Sequence, residues 1–326
     1  MQRNTRRFAM KIILITPALP RSRSGNRATA TRWKNILEEL GHRVDVDTDF
    51  TGGRYDAMVA LHAWRSAASI RRFHTRFPDR LLVVALTGTD IYKFINTSPE
   101  PTLYSIRVAD RLVTLHGLAG LAIPRKYRSK ISVIHQSAKS AVRRGAKKKR
   151  RFNVCVAGHL REEKDPLRAA YAVRKLPAGS RIQVNQYGKA HSPVWVQRAE
   201  KEMQGNERYR WHGEVPHWRI RQVYVSADLM VLSSRMEGGA NVISEACVAG
   251  LPIIASDIAG SVGLLGEEYP GYYATGDTRA LRDLLLRAET DRAWLKRLQT
   301  ACMGKAGLFT YAKERDGWRR LLRNSK

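Results

Sequence analysis

Cysteine is scarce in this chain. Its three copies, Cys155, Cys247 and Cys302, lie far apart and form no CxxC pair. That excludes a disulfide scaffold, fits a reducing compartment and makes the three small core residues. No His/Cys cluster has zinc spacing, so no structural metal is expected. Long apolar runs are missing as well: none reaches the roughly eighteen residues a membrane span needs, so no transmembrane segment is expected. The basic start MQRNTRRFAM precedes an apolar run, Ile12–Ile15, that is too short for a signal-peptide core and meets Pro17. Residues 1–9 read as an extension, or as an upstream start before a natural Met10, and the expected location is cytoplasmic. Repeats at solenoid periods are lacking. Acidic residues are few, 29 against 58 Lys and Arg, giving a net charge of +29. Such a field attracts polyanions, which leaves nucleic acid, small anionic substrates or simply a basic solvated surface. The basic residues are spread along the whole chain and no aromatic RNP, zinc-finger or basic-zipper motif is present, so specific nucleic-acid binding is not expected.

What is present points to an α/β fold. A length of 326 residues favours two domains, and 43% hydrophobic content argues against disorder. The first half alternates strand and helix. Strands are expected at 11–16, 44–48, 56–61, 81–86, 111–115 and 130–135, with helices over 27–41 and up to about Phe77. Residues 138–152, AKSAVRRGAKKKRRF, are basic with little apolar content and read as an interdomain linker. The pattern then restarts, with strands at 152–158, 181–188, 227–232 and 251–256 and a helix from Pro166 to Leu176. Two doubly wound halves, 10–140 and 152–305, are expected to face a central cleft. The last segment, 306–326, is an amphipathic basic helix that either crosses back to the first domain or lies on the surface.

The most specific motif is Glu237-Gly-Gly-Ala-Asn-Val-Ile-Ser-Glu245, which follows a strand and opens a helix to about Ala249. Gly238 and Gly239 let backbone approach a ligand closely. The helix start, with its outward N–H groups and positive dipole end, suits a diphosphate. Glu245 lies about a turn and a half into the helix, where a carboxylate can accept from two vicinal ribose hydroxyls. Glu237 could instead be a capping acid and Glu245 a solvated one, but an unpaired carboxylate within the apolar NVISEACVAG would be costly.

This segment resembles the donor-binding signature of the glycogen-synthase-like GT-B glycosyltransferases, E-G-x-x-x-x-x-x-E-A followed by G-x-P-[IV]-[IV]-A. The resemblance implies that Glu245 binds the ribose hydroxyls and Glu237 the hydroxyls of the donor sugar. The backbone at Gly239, Ala240, Asn241 and Val242 would hold phosphate and sugar oxygens. VCVAGHLREEKDP, starting at Val154, is similar to the family's strand followed by G-R-L-x-x-x-K, where an Arg and a Lys neutralise the leaving diphosphate. Lys164 takes the lysine position. His159 stands where the arginine is expected, and Arg161 is placed to supply the missing charge.

On the acceptor side, Gly25-Asn26 precedes a helix, with Arg21, Arg23 and Arg27 around it, an arrangement that suits a small phosphate-bearing acceptor. From about residue 11 to the C-terminus the chain resembles the selenosugar synthases of selenoneine biosynthesis (SenB). The resemblance is carried by T-P-A-x-x-x-x-x-S-G-N-R-x-T-A-x-R-W near Thr16–Trp33, and by ALHAWRSA, LTGTDIY, TLHGLA, GHLREEKDP and SRMEGGANVISEA. It implies small-molecule substrates and no resident cofactor: a UDP-sugar, typically UDP-N-acetylglucosamine, is coupled to selenophosphate, UDP leaves, and partner enzymes of selenoneine biosynthesis follow. His62, Asp90 and His116, each just after an apolar strand, are the catalytic candidates in the first domain, alongside Glu237. The alternatives are a glycosyltransferase with a hydroxyl acceptor, for which the charge would favour an anionic membrane surface, and a nucleic-acid-binding protein on a degenerate transferase fold.

Overall fold

The computed structural model describes residues 9–22, 24–139 and 150–323. Residues 1–8 of the expected extension, most of the expected linker and Arg23 lie outside the described residues. The chain divides into two compact units. The first runs to Gln136 and resumes at Ala312; the second is Ser137–Tyr311.

The first unit holds six parallel strands: β1 (Lys11–Ile15), β2 (Arg43–Asp47), β3 (Ala57–Leu61), β4 (Leu81–Leu86), β5 (Arg111–Thr114) and β6 (Ile131–Val133). These are the six apolar runs of the first half, in sheet order β2-β1-β3-β4-β5-β6. Helices α1 (Gly25–Glu39), α2 (Ala67–Arg76), α3 (Ile95–Thr97) and α4 (Pro99–Val108) connect them. Alternation along each strand builds two cores. Ile12 and Leu14 of β1 join Trp33, Ile36 and Leu37 of α1 on one face. Ile13 and Ile15 join Ile70 and Phe73 of α2 on the other.

The second unit repeats the plan with β7 (Phe152–Ala157), β8 (Ile182–Tyr187), β9 (Tyr209–Trp211), β10 (Leu229–Leu232), β11 (Ile253–Ser256) and β12 (Tyr272–Tyr273), in order β12-β11-β10-β7-β8-β9. Four of these strands are the apolar runs read from sequence. The two edge strands, β9 and β12, are three and two residues long and carry no run to find. Helices α5 (Arg168–Val173), α6 (Pro193–Gly205), α7 (His217–Ser226), α8 (Asn241–Val248), α9 (Ala259–Leu265), α10 (Thr278–Thr290) and α11 (Arg292–Lys305) flank the sheet. Helix α5 is shorter at both ends than the expected 166–176, and it follows Asp165, whose φ of 42° is left-handed.

The last helix, α12 (Tyr311–Arg323), belongs to the first unit from Ala312 onward. Its Trp318 meets Trp33 edge to face, with ring centroids 4.8 Å apart, and both are fully buried. Glu314 is buried beside them and accepts from Trp33 Nε1 at 2.8 Å, while Arg32 Nε approaches to 2.9 Å. A buried carboxylate needs such partners, since one left alone would be strongly destabilising. Among the described residues no helix is long and apolar enough to cross a membrane.

Candidate active site

In an open parallel sheet, ligands sit beyond the carboxyl ends of the strands where the winding reverses. In the second unit that point lies between β7 and β10. The chain leaves β7 toward β8 and β9 and returns on the other side as β10. The loops that follow these two strands are 158–164 and 233–240, and they are stitched together. Ser233 Oγ donates to the carbonyls of Lys164 (3.1 Å) and Asp165 (2.9 Å), and Arg235 N donates to Glu163 O at 2.8 Å.

Across this junction Lys164 Nζ donates to Glu237 Oε1, and Ser234 Oγ donates to the same oxygen at 2.6 Å. The two charged side chains are 20% and 9% exposed, so the pair is largely withdrawn from water. Such a pair adds little to stability once desolvation is subtracted; its consequence is an ammonium and a carboxylate held in one place. Gly260, at the start of α9, makes room for it. A Cβ there would lie 2.3 Å from Glu237 O, so any side chain would displace the glutamate.

Helix α8 begins directly after Glu237-Gly-Gly. Its N-cap is Ala240, which has no side-chain oxygen to take an N–H of the first turn. Gly238 and Gly239 have no left-handed φ, so their use is the smallness of the turn rather than its handedness. Glu245, the fifth residue of α8, is half-buried, with His217 Nε2 3.2 Å from its Oε1.

His159 differs from what its position suggests. Burial first, then the neighbouring His191 and Arg161, push its pKa down to about 4, so it is neutral at pH 7. Its Nδ1 accepts from Lys189 N at 3.2 Å, leaving Nε2–H to donate. His159 therefore offers a hydrogen bond and no charge, and the cations of its own loop are Arg161 and Lys164. Arg161 leans toward Glu163, with Nε 3.9 Å from the carboxylate. Gly188, at the end of β8, packs so closely that a Cβ would fall 2.1 Å from Gly158 O, which fixes the course of the His159 loop.

In the first unit the winding reverses between β1 and β3. Gly25, Asn26 and Arg27 form the first turn of α1, where Ser24 caps by accepting from Arg27 N at 3.5 Å. That turn carries no acid, although the positive end of the dipole favours one. His62 follows β3 with a left-handed φ of 75°, a strained conformation for a residue with a Cβ. Its Nδ1 accepts from Arg65 N (3.1 Å), so the neutral ring carries its proton on Nε2, 2.9 Å from Thr89 Oγ1. His62 is thereby a donor in this arrangement rather than a base.

Asp90 is turned into the protein. It is fully buried, and its oxygens accept from the amides of Ala63, Thr87, Gly88 and Ile91, at 2.7 to 3.1 Å. It ties together the loops after β3 and β4. His116 is likewise fully buried, with Nε2 3.2 Å from Tyr92 OH. Burial, then His135, pushes His116 down to about 4. Both side chains are held by the fold itself.

These histidines set an acid limit. The unfolded chain protonates them near pH 6.5, whereas the folded protein does so near 4. Between those values the unfolded state binds more protons, so the stability they contribute is complete above pH 6.5 and is lost as pH falls toward 4. For His116 the full loss is about 3 kcal/mol as an upper bound. Thermal unfolding followed from pH 8 to 4 is expected to be flat above 6.5 and to decline below it. H116Q should flatten part of that decline; an unchanged wild-type midpoint at pH 4.5 would contradict the assignment.

Three features of this geometry were not read from sequence: Ser234, His217 and Gly260. Among the described residues no group of three His, Cys, Asp or Glu is arranged to hold a metal ion.

The sequence profile of the family "Glycosyl transferases group 1" matches residues 138–302, half of the chain. This chain is a group 1 glycosyltransferase. Its fold is that of GT-B glycosyltransferases. It is similar to Anabaena HepE in complex with UDP and glucose, with a TM-score of 0.76 at 15% identity over 96% of this chain and 99% of that one. It is also similar to sucrose-phosphate synthase from Thermosynechococcus elongatus, with a TM-score of 0.78 at 16% identity over 96% and 98% of the two chains. A stretch of 82 residues is 32% identical to TuaC of Bacillus subtilis (strain 168), provisionally assigned as a teichuronic acid biosynthesis glycosyltransferase. That stretch is 25% of this glycosyltransferase and 21% of TuaC, so the likeness spans about a fifth of the relative's length.

Proposed function

We propose that this glycosyltransferase is a selenosugar synthase: it binds a UDP-sugar, with UDP-N-acetylglucosamine the expected donor, and transfers the sugar to selenophosphate. The observation that carries the donor half is the Lys164–Glu237 pair at the β7/β10 junction, directly before an α8 whose N-cap, Ala240, has no side-chain oxygen. In this reading the diphosphate rests on the amides of residues 239–242. Lys164 meets the leaving phosphate, His159 Nε2–H adds a neutral donor and Glu237 holds sugar hydroxyls. Glu245 takes the two ribose hydroxyls. The UDP in the HepE structure supports the choice of nucleotide.

The acceptor half rests on the selenosugar-synthase motifs and on the first turn of α1. A helix start without an acid, next to Arg27, is poorly matched electrostatically until an anion arrives. Among the described residues no ion pair engages the Arg27 side chain. The selenium of selenophosphate is already anionic at neutral pH and needs little general-base help, which agrees with a His62 whose Nε2 carries a proton. Selenium attacks the anomeric carbon as the bond from that carbon to UDP breaks. Water then cleaves the P–Se bond, releasing phosphate and the 1-seleno-sugar.

The test is direct. UDP-N-acetylglucosamine with selenophosphate should give UDP and a selenosugar detectable by mass spectrometry, and R27A should raise the KM for selenophosphate about tenfold with little change for the donor. UDP release that requires a hydroxyl acceptor, with none from selenophosphate, would reject the acceptor assignment.

A further inference from the structure

Glu245 does not stand alone in its helix. Helix α7 presents His217 and Tyr224, seven residues apart and so on one face. His217 Nε2 lies 3.2 Å from Glu245 Oε1. The Tyr224 hydroxyl is sealed from solvent beside the same carboxylate. Burial first, then the charge of Glu245, holds that phenol well above its ordinary pKa, so it keeps its proton. One carboxylate is thus bounded on two sides by one helix. A carboxylate has about four lone-pair sites, so His217 on Oε1 and the neighbouring phenol do not exhaust its capacity to accept from a diol.

We infer that His217 is a positioning residue for nucleotide recognition. It fixes the Glu245 side chain so that the carboxylate meets the vicinal hydroxyls of a ribonucleoside diphosphate in one orientation. The inference rests on the proposed role of Glu245. His217 is 62% exposed, so its contact adds little to folding. Its effect is on the rotamer freedom of a long side chain, which otherwise has to be frozen when the nucleotide binds.

UDP titration of the full-length protein in a double-mutant cycle tests this. H217A is expected to weaken UDP about tenfold, with an unchanged thermal midpoint and with turnover at saturating donor within about twofold of wild type. H217Q, whose amide reaches the same oxygen, should recover most of the affinity. In an E245A background H217A should have no further effect, because it acts through that carboxylate. 2′-Deoxy-UDP should be less sensitive to H217A than UDP is. Equal losses in the two backgrounds, or wild-type affinity in H217A, would overturn the inference and leave the donor reading intact. Wild-type affinity in E245A would overturn both.

Discussion

K164A is expected to lower turnover by roughly 10² to 10³, the usual effect of removing one cation or donor aimed at charge that develops in the transition state. The junction offers few substitutes. His159, at the position where the family signature has arginine, is held neutral at pH 7 by burial and by His191. Arg161 leans toward Glu163. Most of the positive charge at the leaving phosphate therefore falls to Lys164. The same substitution strands Glu237, which is 9% exposed and shares its oxygen between Lys164 and Ser234, and a buried carboxylate without its cation is destabilising by about 3–5 kcal/mol. A K164A/E237Q double variant removes that penalty, so turnover measured in it at a temperature where it is folded isolates the lysine. If the double variant retained turnover within about fivefold of E237Q alone, Lys164 would not be the charge that stabilises the leaving group.

E245A is expected to weaken UDP about 100-fold. Two hydroxyls donating to one carboxylate are charge-assisted hydrogen bonds, together about 2.7 kcal/mol, and that energy is 100-fold in affinity. The fold should survive, because the ion-pair partner lost is an exposed histidine. Isothermal titration with UDP and 2′-deoxy-UDP reads the effect. Wild type should discriminate between them, whereas E245A should bind both alike. Retained discrimination in E245A would move ribose recognition elsewhere.

The sheets were legible because buried parallel strands are continuous apolar runs. LLVVAL at β4 and AMVAL at β3 need no partner to be recognised. Strands β9 and β12 were not, since their few residues pair only at a sheet edge that sequence does not reveal. The glutamate–glycine turn before α8 was legible for the opposite reason: it is contiguous, so turn, helix start and both acids fall within nine residues. Its surroundings are not contiguous. Lys164 and Glu237 are 73 residues apart in the chain. Gly260 matters only because Glu237 O comes to 2.3 Å of where its Cβ would be. His217 and Tyr224 had a trace in their seven-residue spacing, but nothing in it says that α8 is what they face. The three first-unit candidates illustrate the limit from the other side. A polar residue after an apolar strand can face a ligand or turn inward, and Asp90 turns inward to four amides. That distinction depends on loop conformation, which no local pattern encodes.

The most direct measurement is a crystal structure of the full-length protein grown with UDP. The expected density has the diphosphate against the amides of residues 239–242 with Lys164 Nζ in contact, and the ribose hydroxyls on Glu245 while His217 keeps Oε1. UDP bound away from the β7/β10 junction, or bound there with Glu245 turned from the ribose, would contradict it.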